Sequence, residues 1–223
     1  TDNTREMVAG WIKENKIPIR YHYQENQGMH GAHNTAYRLI TTELNTCIDS
    51  DDYMPDDAVE KIVTFWKKHS SNEVAGIIGL DADFQGNIIG TTFTEKQTTL
   101  GGFYAQGGKG DKKMIYRTEI INQYPEYPLF KGEKYVSLGY KYELIDQDYS
   151  LLTINEVLVK VEYRPDGSSM NMFRQYIKNP QGFAFIRKSS MQLAPTAKRR
   201  FMEAIHYVSS SLILKNKRFL QES

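Results

Sequence analysis

The residues best able to do chemistry are the carboxylates of Cys47-Ile48-Asp49-Ser50-Asp51-Asp52, which close a short apolar run from Leu44 to Ile48. On a strand, alternate side chains leave opposite faces, so Asp49 and Asp51 are expected on one side. Two hard oxygen donors then face one point. Neighbouring carboxylates repel unless a cation, a proton or a positive side chain relieves them, and Mg²⁺ or Mn²⁺ is typically held by one or two carboxylates plus substrate phosphates. A phosphorylated substrate is therefore expected. The same residues also read as a turn, since Asp is a common turn residue and Tyr53-Met54-Pro55-Asp56-Asp57 leads into a helix. A calcium loop fails. Glu60 is the twelfth residue counted from Asp49, but Tyr53 and Met54 stand where a ligand oxygen and a tight-turn glycine belong.

The elements that must position these carboxylates follow from periodicity. Asn3-x-x-Glu6 reads as a capping box, and Met7, Val8, Trp11 and Ile12 place a helix over residues 3 to about 15. Ile17, Ile19, Tyr21 and Tyr23 alternate as a strand. Ala32, Ala36, Leu39 and Ile40 put an apolar stripe on a helix starting near Gly31. The acidic strand comes next, then a helix boxed by Asp57 and Glu60 with Ala58, Val59, Ile62, Val63 and Trp66 as its core face, then a buried strand from Val74 to Leu80. This order predicts an α/β domain with a largely parallel sheet, whose ligands gather beyond the carboxyl ends of the strands. Nine of the 16 glycines fall between Gly76 and Gly110, so residues 81–113 read as a mobile loop region or lid. A short helix near 117–123, one or two strands over 151–163 and helices beyond Asn179-Pro180 complete the pattern.

At 223 residues, with 40% hydrophobic and 12% aromatic content, the chain has ample material for a packed core. Cys47 is the single cysteine, which excludes an intrachain disulfide and points to a reducing, cytoplasmic setting with a buried structural thiol. No run approaches the length of a membrane span, and a net charge of +1 gives no nucleic-acid signature. The charge is uneven: residues 187–223 carry eight Lys and Arg against two Glu, whereas residues 1–186 carry 20 basic against 25 acidic groups. Lys198-Arg199-Arg200 and Lys215-Asn216-Lys217-Arg218 flank a stripe of Phe201, Ile205, Val208 and Leu212. Packing of that stripe on the domain is the favoured use; peripheral docking on the inner face of an anionic membrane is the alternative.

Taken in order, Thr1-Asp2-Asn3-Thr4, Asn26-Gln-Gly-Met-His-Gly-Ala-His-Asn34, Asp49-Ser-Asp51-Asp52, Gly110-Asp111-Lys112, Gly132-Glu133-Lys134 and Glu162-Tyr-Arg-Pro-Asp166-Gly167 resemble the family 2 glycosyltransferases, in particular bacterial enzymes of surface-polysaccharide synthesis. The resemblance covers nearly the whole chain. It implies a GT-A, Rossmann-like sheet flanked by helices, with a glycosyltransferase domain over 1–180 and a helical extension over 181–223. Relatives begin with a strand, a helix and a second strand that cup the nucleotide base, so the first strands are expected to be missing here, with weak nucleotide-sugar binding and self-association as consequences.

The implied reaction is transfer of a sugar, with inversion, from a nucleotide-sugar (a UDP-sugar is favoured) to a hydroxyl of a glycan or lipid-linked acceptor. By the resemblance Asp51 holds Mn²⁺ or Mg²⁺, Asp49 helps with the metal or the ribose, Asp52 supports them, and Asn26 and Asn34 border the donor pocket. Glu133 is the favoured base and Asp111 the second choice. His30 and His33 read as cap or surface residues, and Lys112 and Arg164 as phosphate partners or solvated charges. Val136-Ser137-Leu138-Gly139 departs from the family pattern, where an acid often follows. The competing functions are a noncatalytic glycan- or partner-binding domain on the same fold and, more weakly, a metal-dependent phosphohydrolase.

Overall fold

The computed structural model describes residues 2–162 and 171–222; the turn expected over 163–167, with Arg164, lies outside them. Nine consecutive buried residues make β2 (Val74–Ala82) the central strand, its Val, Ile and Leu side chains packed on both faces. Its neighbours are β4 (Lys112–Arg117), antiparallel, and β5 (Ser150–Lys160), parallel. Two short strands, β1 (Leu44–Asn45) and β3 (Gln97–Thr98), pair antiparallel with β4 and β5, giving the order β1-β4-β2-β5-β3. The α/β class is as expected, but the sheet is mixed. Among the described residues only the β2–β5 pair is parallel, because β4 returns alongside β2 from the glycine-rich excursion.

Helix α3 (Ala58–His69) buries Ala58, Ile62 and Trp66 on one face of the sheet against Ile77, Ile115 and Leu158, whereas Val59 and Val63, expected on that face, are exposed and Asp57 makes no side-chain cap. The other face carries the larger cluster, with Ile78, Leu80, Tyr116 and Ile121 joined by Tyr37 of α2 (Gly28–Leu39) and Ile145 of α6 (Gly139–Asp148). Helix α1 (Thr4–Glu14) forms where the spacing placed it, yet it buries no residue and Asn3 makes no side-chain cap. Residues 17–23 join no strand, and Ile17 and Tyr23 remain about two-thirds exposed. Their alternation is real, but no described strand pairs with them.

The segment expected to be a loose lid is a structured excursion holding β3 and α4 (Leu100–Ala105). Its two ends are tied by Lys112, whose buried ammonium donates to the carbonyls of Ile89, Lys109, Gly110 and Asp111 at 2.9–3.3 Å. After the short α5 (Thr118–Ile121), the chain ends in α7 (Met172–Lys178), α8 (Pro180–Leu193), α9 (Ala197–Ile213) and α10 (Phe219–Glu222). Phe185 and Ile186 of α8 pack on the larger cluster, and α9 lies along α8. No helix of the described residues is long and apolar enough to cross a membrane.

Candidate active site

Strands β1, β2 and β5 run in one direction and β4 opposes them, so the carboxyl ends of three strands and the start of β4 share one edge of the sheet. That edge collects the acids. Asp49–Asp52 follow β1, Asp81 lies near the end of β2, and Asp111, Lys112 and Lys113 enter β4. The Asp49–Asp52 run is not a strand end: the Asp52 N–H donates to the Asp49 carbonyl at 3.1 Å and closes a turn. The alternation that would set Asp49 and Asp51 on one side of a strand therefore does not operate. Asp49 and Asp51 are exposed and Asp52 is half-buried. Burial first, then the charges of Asp49 and Asp51, push the Asp52 carboxyl above the ordinary range.

Two residues of this edge escaped the sequence reading. Asp81 is 4% exposed and its Oδ1 has no hydrogen-bond partner. Desolvation raises its pKa to about 6, against the pull of Lys113 and Lys112 and with the push of Asp111 and Asp52. Lys113 sits opposite Gly79 in the β2–β4 register, and Asp81 is two residues on, so the two share a sheet face. The Lys113 ammonium donates to the Cys47 carbonyl at 2.9 Å, which places one cation between Asp81 and the acidic turn. An acid ending an otherwise apolar strand was the available signal for Asp81. Cys47 is exposed rather than buried, because its segment leaves the sheet after Asn45.

A second carboxylate, Glu133, sits where the Asn26–Asn34 and Gly132–Lys134 segments meet. The Asn26 side chain accepts from the Gly28 N–H at 2.9 Å and turns the chain into α2. Gly28 is held at a φ of +79°, and a Cβ there would strike the Lys134 carbonyl, so only glycine lets α2 meet the Glu133 loop. His30 Nδ1 accepts from the Val136 N–H at 3.2 Å, and Asn34 bonds both the N–H and the C=O of Tyr127. Glu133 is 9% exposed; its Oε1 accepts from the Gln181 N–H at 2.9 Å and its Oε2 from the Gly182 N–H at 2.8 Å. It caps the first turn of α8, where orphan N–H groups and the helix dipole favour a carboxylate. The predicted Asn26–Asn34 and Gly132–Lys134 motifs thus converge, although Asn34 spends its amide on backbone.

The buried face of α2 is His30, Gly31, His33, Asn34 and Tyr37, while Ala32 and Ala36 face solvent. The expected stripe is therefore split, its two alanines outside while Ile40 packs on the larger cluster, and neither histidine is a surface residue. His33 Nδ1 bonds the Met29 carbonyl at 3.0 Å, so it carries the proton; Nε2 is a buried acceptor without a partner. Burial lowers its pKa, opposed by Asp49, whose charge reaches it from the acidic turn.

The donor set suits a hard divalent cation: oxygen ligands, mutual repulsion in the turn and an unpaired Asp81 oxygen nearby. No three His, Cys, Asp or Glu side chains of the described residues form a ready-made metal cage. The fit is with a cation held by one or two carboxylates and completed by phosphate oxygens.

The family model for glycosyl transferase family 2 matches residues 1–124. None of the curated proteins matches the chain significantly. Among solved structures, Staphylococcus aureus TarS 1–349 in complex with UDP-GlcNAc is similar at a TM-score of 0.63 and 14% identity, over 98% of this chain and 62% of that one. Its complex with UDP gives a TM-score of 0.58 at 14% identity, over 98% and 61%. The Pyrobaculum calidifontis mannosyltransferase PcManGT in complex with GDP-Man and Mn²⁺ gives 0.56 at 16% identity, over 96% and 62%. The chain thus spans about three-fifths of the length of these structures and shares their fold. With more than half of its residues within the family match, the chain belongs to glycosyl transferase family 2.

Proposed function

We propose that the protein is a metal-dependent, inverting glycosyltransferase that moves a sugar from a nucleoside-diphosphate sugar, a UDP-sugar in preference, to a hydroxyl of a glycan or lipid-linked acceptor. The observation that carries this reading is the collection of Asp49, Asp51, Asp52, Asp81 and Lys113 at the carboxyl edge of the sheet of a family 2 chain. Relatives of the same fold hold UDP-GlcNAc, or GDP-Man with Mn²⁺, which supports a nucleotide-sugar and a divalent cation here.

Asp51 and Asp49 would hold Mn²⁺ or Mg²⁺, with Asp52 behind them. The ion, when bound, supplies charge neutralisation for the diphosphate leaving group. Lys113 adds a fixed positive charge at the same place. Asn26 and Asn34 act as positioning residues, the first by turning the chain into α2 and the second by fixing the loop at Tyr127. The acceptor oxygen attacks the anomeric carbon opposite the diphosphate. The C–O bond to the diphosphate breaks with its electron pair leaving on the phosphate, and the hydroxyl proton passes to a carboxylate.

Glu133 remains the proposed base, with Asp111, exposed at the start of β4, second. Glu133 would receive the proton on an oxygen that already accepts from α8. That engagement also favours the second reading, a noncatalytic binding domain in which Glu133 only fastens α8. Incubating the intact protein with UDP-sugars and Mn²⁺ separates them. Metal-dependent release of UDP, lost in Glu133→Gln at a temperature where circular dichroism shows the variant still folded, supports the base. Release unaffected by Glu133→Gln but lost in Asp111→Asn moves the role to Asp111, and no release with any UDP-sugar favours the binding domain.

A further inference from the structure

Helix α9 is inside out. Its buried side is mostly polar: Ser210 and Ser211 are fully buried, Tyr207 is buried with its hydroxyl bonded to Glu222, Arg187 of α8 pairs with Glu203 at 3.0 Å, and Arg199 pairs with Glu143 of α6 at 2.9 Å. The side turned to solvent carries Phe201 at 65% exposure and Leu212 at 64%, with Met202 and Ile205 also exposed. Leu212 is 11 residues from Phe201 and Ile205 four, so at 100° per residue all three share one stripe. The favoured expectation, that this stripe packs against the domain, is therefore overturned.

Helix α7 extends the same surface. The Tyr176 hydroxyl donates to Ser209 Oγ at 2.8 Å, which fastens α7 beside the outer half of α9. Phe173 on α7 is 78% exposed and Ile177 half-exposed. Of the ionisable groups over residues 171–222, ten are Lys or Arg and two are acidic. Both acids are occupied, Glu203 with Arg187 and Glu222 with Tyr207 and Asn216. Lys178 ends α7, Lys198 and Arg200 lie in the first turn of α9, and Lys215 and Lys217 follow its last turn.

We propose that the α7–α9 face docks peripherally on an anionic lipid surface, its apolar side chains entering the interfacial region and its lysines and arginines meeting lipid phosphates. Burial of the exposed aromatic and aliphatic groups supplies one part of the attraction and the one-sided charge the other. A second copy of the chain is the poorer occupant, because a face-to-face dimer would set this basic rim against itself. The surface is independent of the donor reading and would bring the site to lipid-borne acceptors.

The test is co-sedimentation of the intact protein with phosphatidylcholine vesicles, with and without phosphatidylglycerol, at low and high ionic strength. Binding is expected only with the anionic lipid, weakening as salt rises. Lys198→Glu should reduce partitioning by about fivefold or more, since one basic side chain near such a surface contributes about that factor. Phe173→Ser with Phe201→Ser should abolish it; both side chains are exposed, so folding is retained. Absence of binding, or equal binding to neutral and anionic vesicles, overturns the proposal. Dimerisation in sedimentation velocity that the double variant breaks assigns the face to a second copy and overturns it equally. Nucleotide binding is read separately and is unaffected by either result.

Discussion

The two carboxylate stations are held in opposite ways. Glu133 is buried, and both its oxygens bond backbone N–H groups of α8 in a loop wedged against Gly28, His30 and Asn179. Asp49 and Asp51 stand exposed on a turn closed by the Asp52 N–H, and burial, then their charges, push the Asp52 carboxyl upward while Asp81 nearby keeps an unpaired oxygen. The first station is complete within the protein. The second carries unrelieved negative charge that Lys113 offsets only in part, which is the condition under which a cation and a phosphorylated ligand gain most from binding.

Substitutions should separate the two. The largest effect is expected at Asp51→Asn, which should lower metal-dependent sugar transfer by about 10²–10³-fold with little change in thermal stability, comparable to losing one electrostatic stabiliser of a transition state; initial rates alongside a melting curve check this. Glu133→Ala should do the reverse in stability, costing about 2–3 kcal/mol through the uncapped first turn of α8, measured by urea denaturation. If Glu133→Ala left stability untouched, the distinction between the stations would fail.

Asp81 sharpens the comparison through pH. Its folded pKa, about 6, lies above the ordinary 3.8, so the folded state binds the extra proton. Its contribution is fully present below about pH 4 and is lost as pH rises to about 6, amounting to about 2–3 kcal/mol. Asp81→Asn should therefore be more stable than the parent at pH 7, and the gap should close as the pH falls to 4, as denaturant midpoints across that range would reveal. The smallest effect belongs to Arg38→Ala: its 2.8 Å pair with Glu126 is more than half exposed on both sides, so only a few tenths of a kcal/mol should be lost.

The sequence is a good guide at β2 and a partial one at α3, where Ala58, Ile62 and Trp66 are buried as expected but Val59 and Val63 are exposed. The pattern misleads where the inner face is polar. In α2 the buried side holds His30 and Asn34, which bond the loops at Val136 and Tyr127, and His33, which bonds the Met29 carbonyl of its own helix; in α9 it holds serines, Tyr207 and ion pairs. Helix α6 went unread because Tyr140, Lys141, Tyr142 and Ile145 show no clean apolar stripe; Lys141 is buried with its ammonium over the rings of Tyr37 and Tyr127. The carboxylates of the turn were legible by type and spacing, but the turn geometry that carries them, the cation from β4 and the buried acid from β2 depend on strand pairings between distant segments.

The central claim, that the acidic turn is completed by a divalent cation and a nucleoside diphosphate, is tested most directly by calorimetric titration of UDP and UDP-sugars into the intact protein, with and without Mn²⁺, alongside Asp51→Asn. The account predicts saturable binding that requires the metal and disappears in the variant. Binding that ignores both the metal and Asp51, or no binding by a demonstrably folded protein under any metal condition, would contradict it.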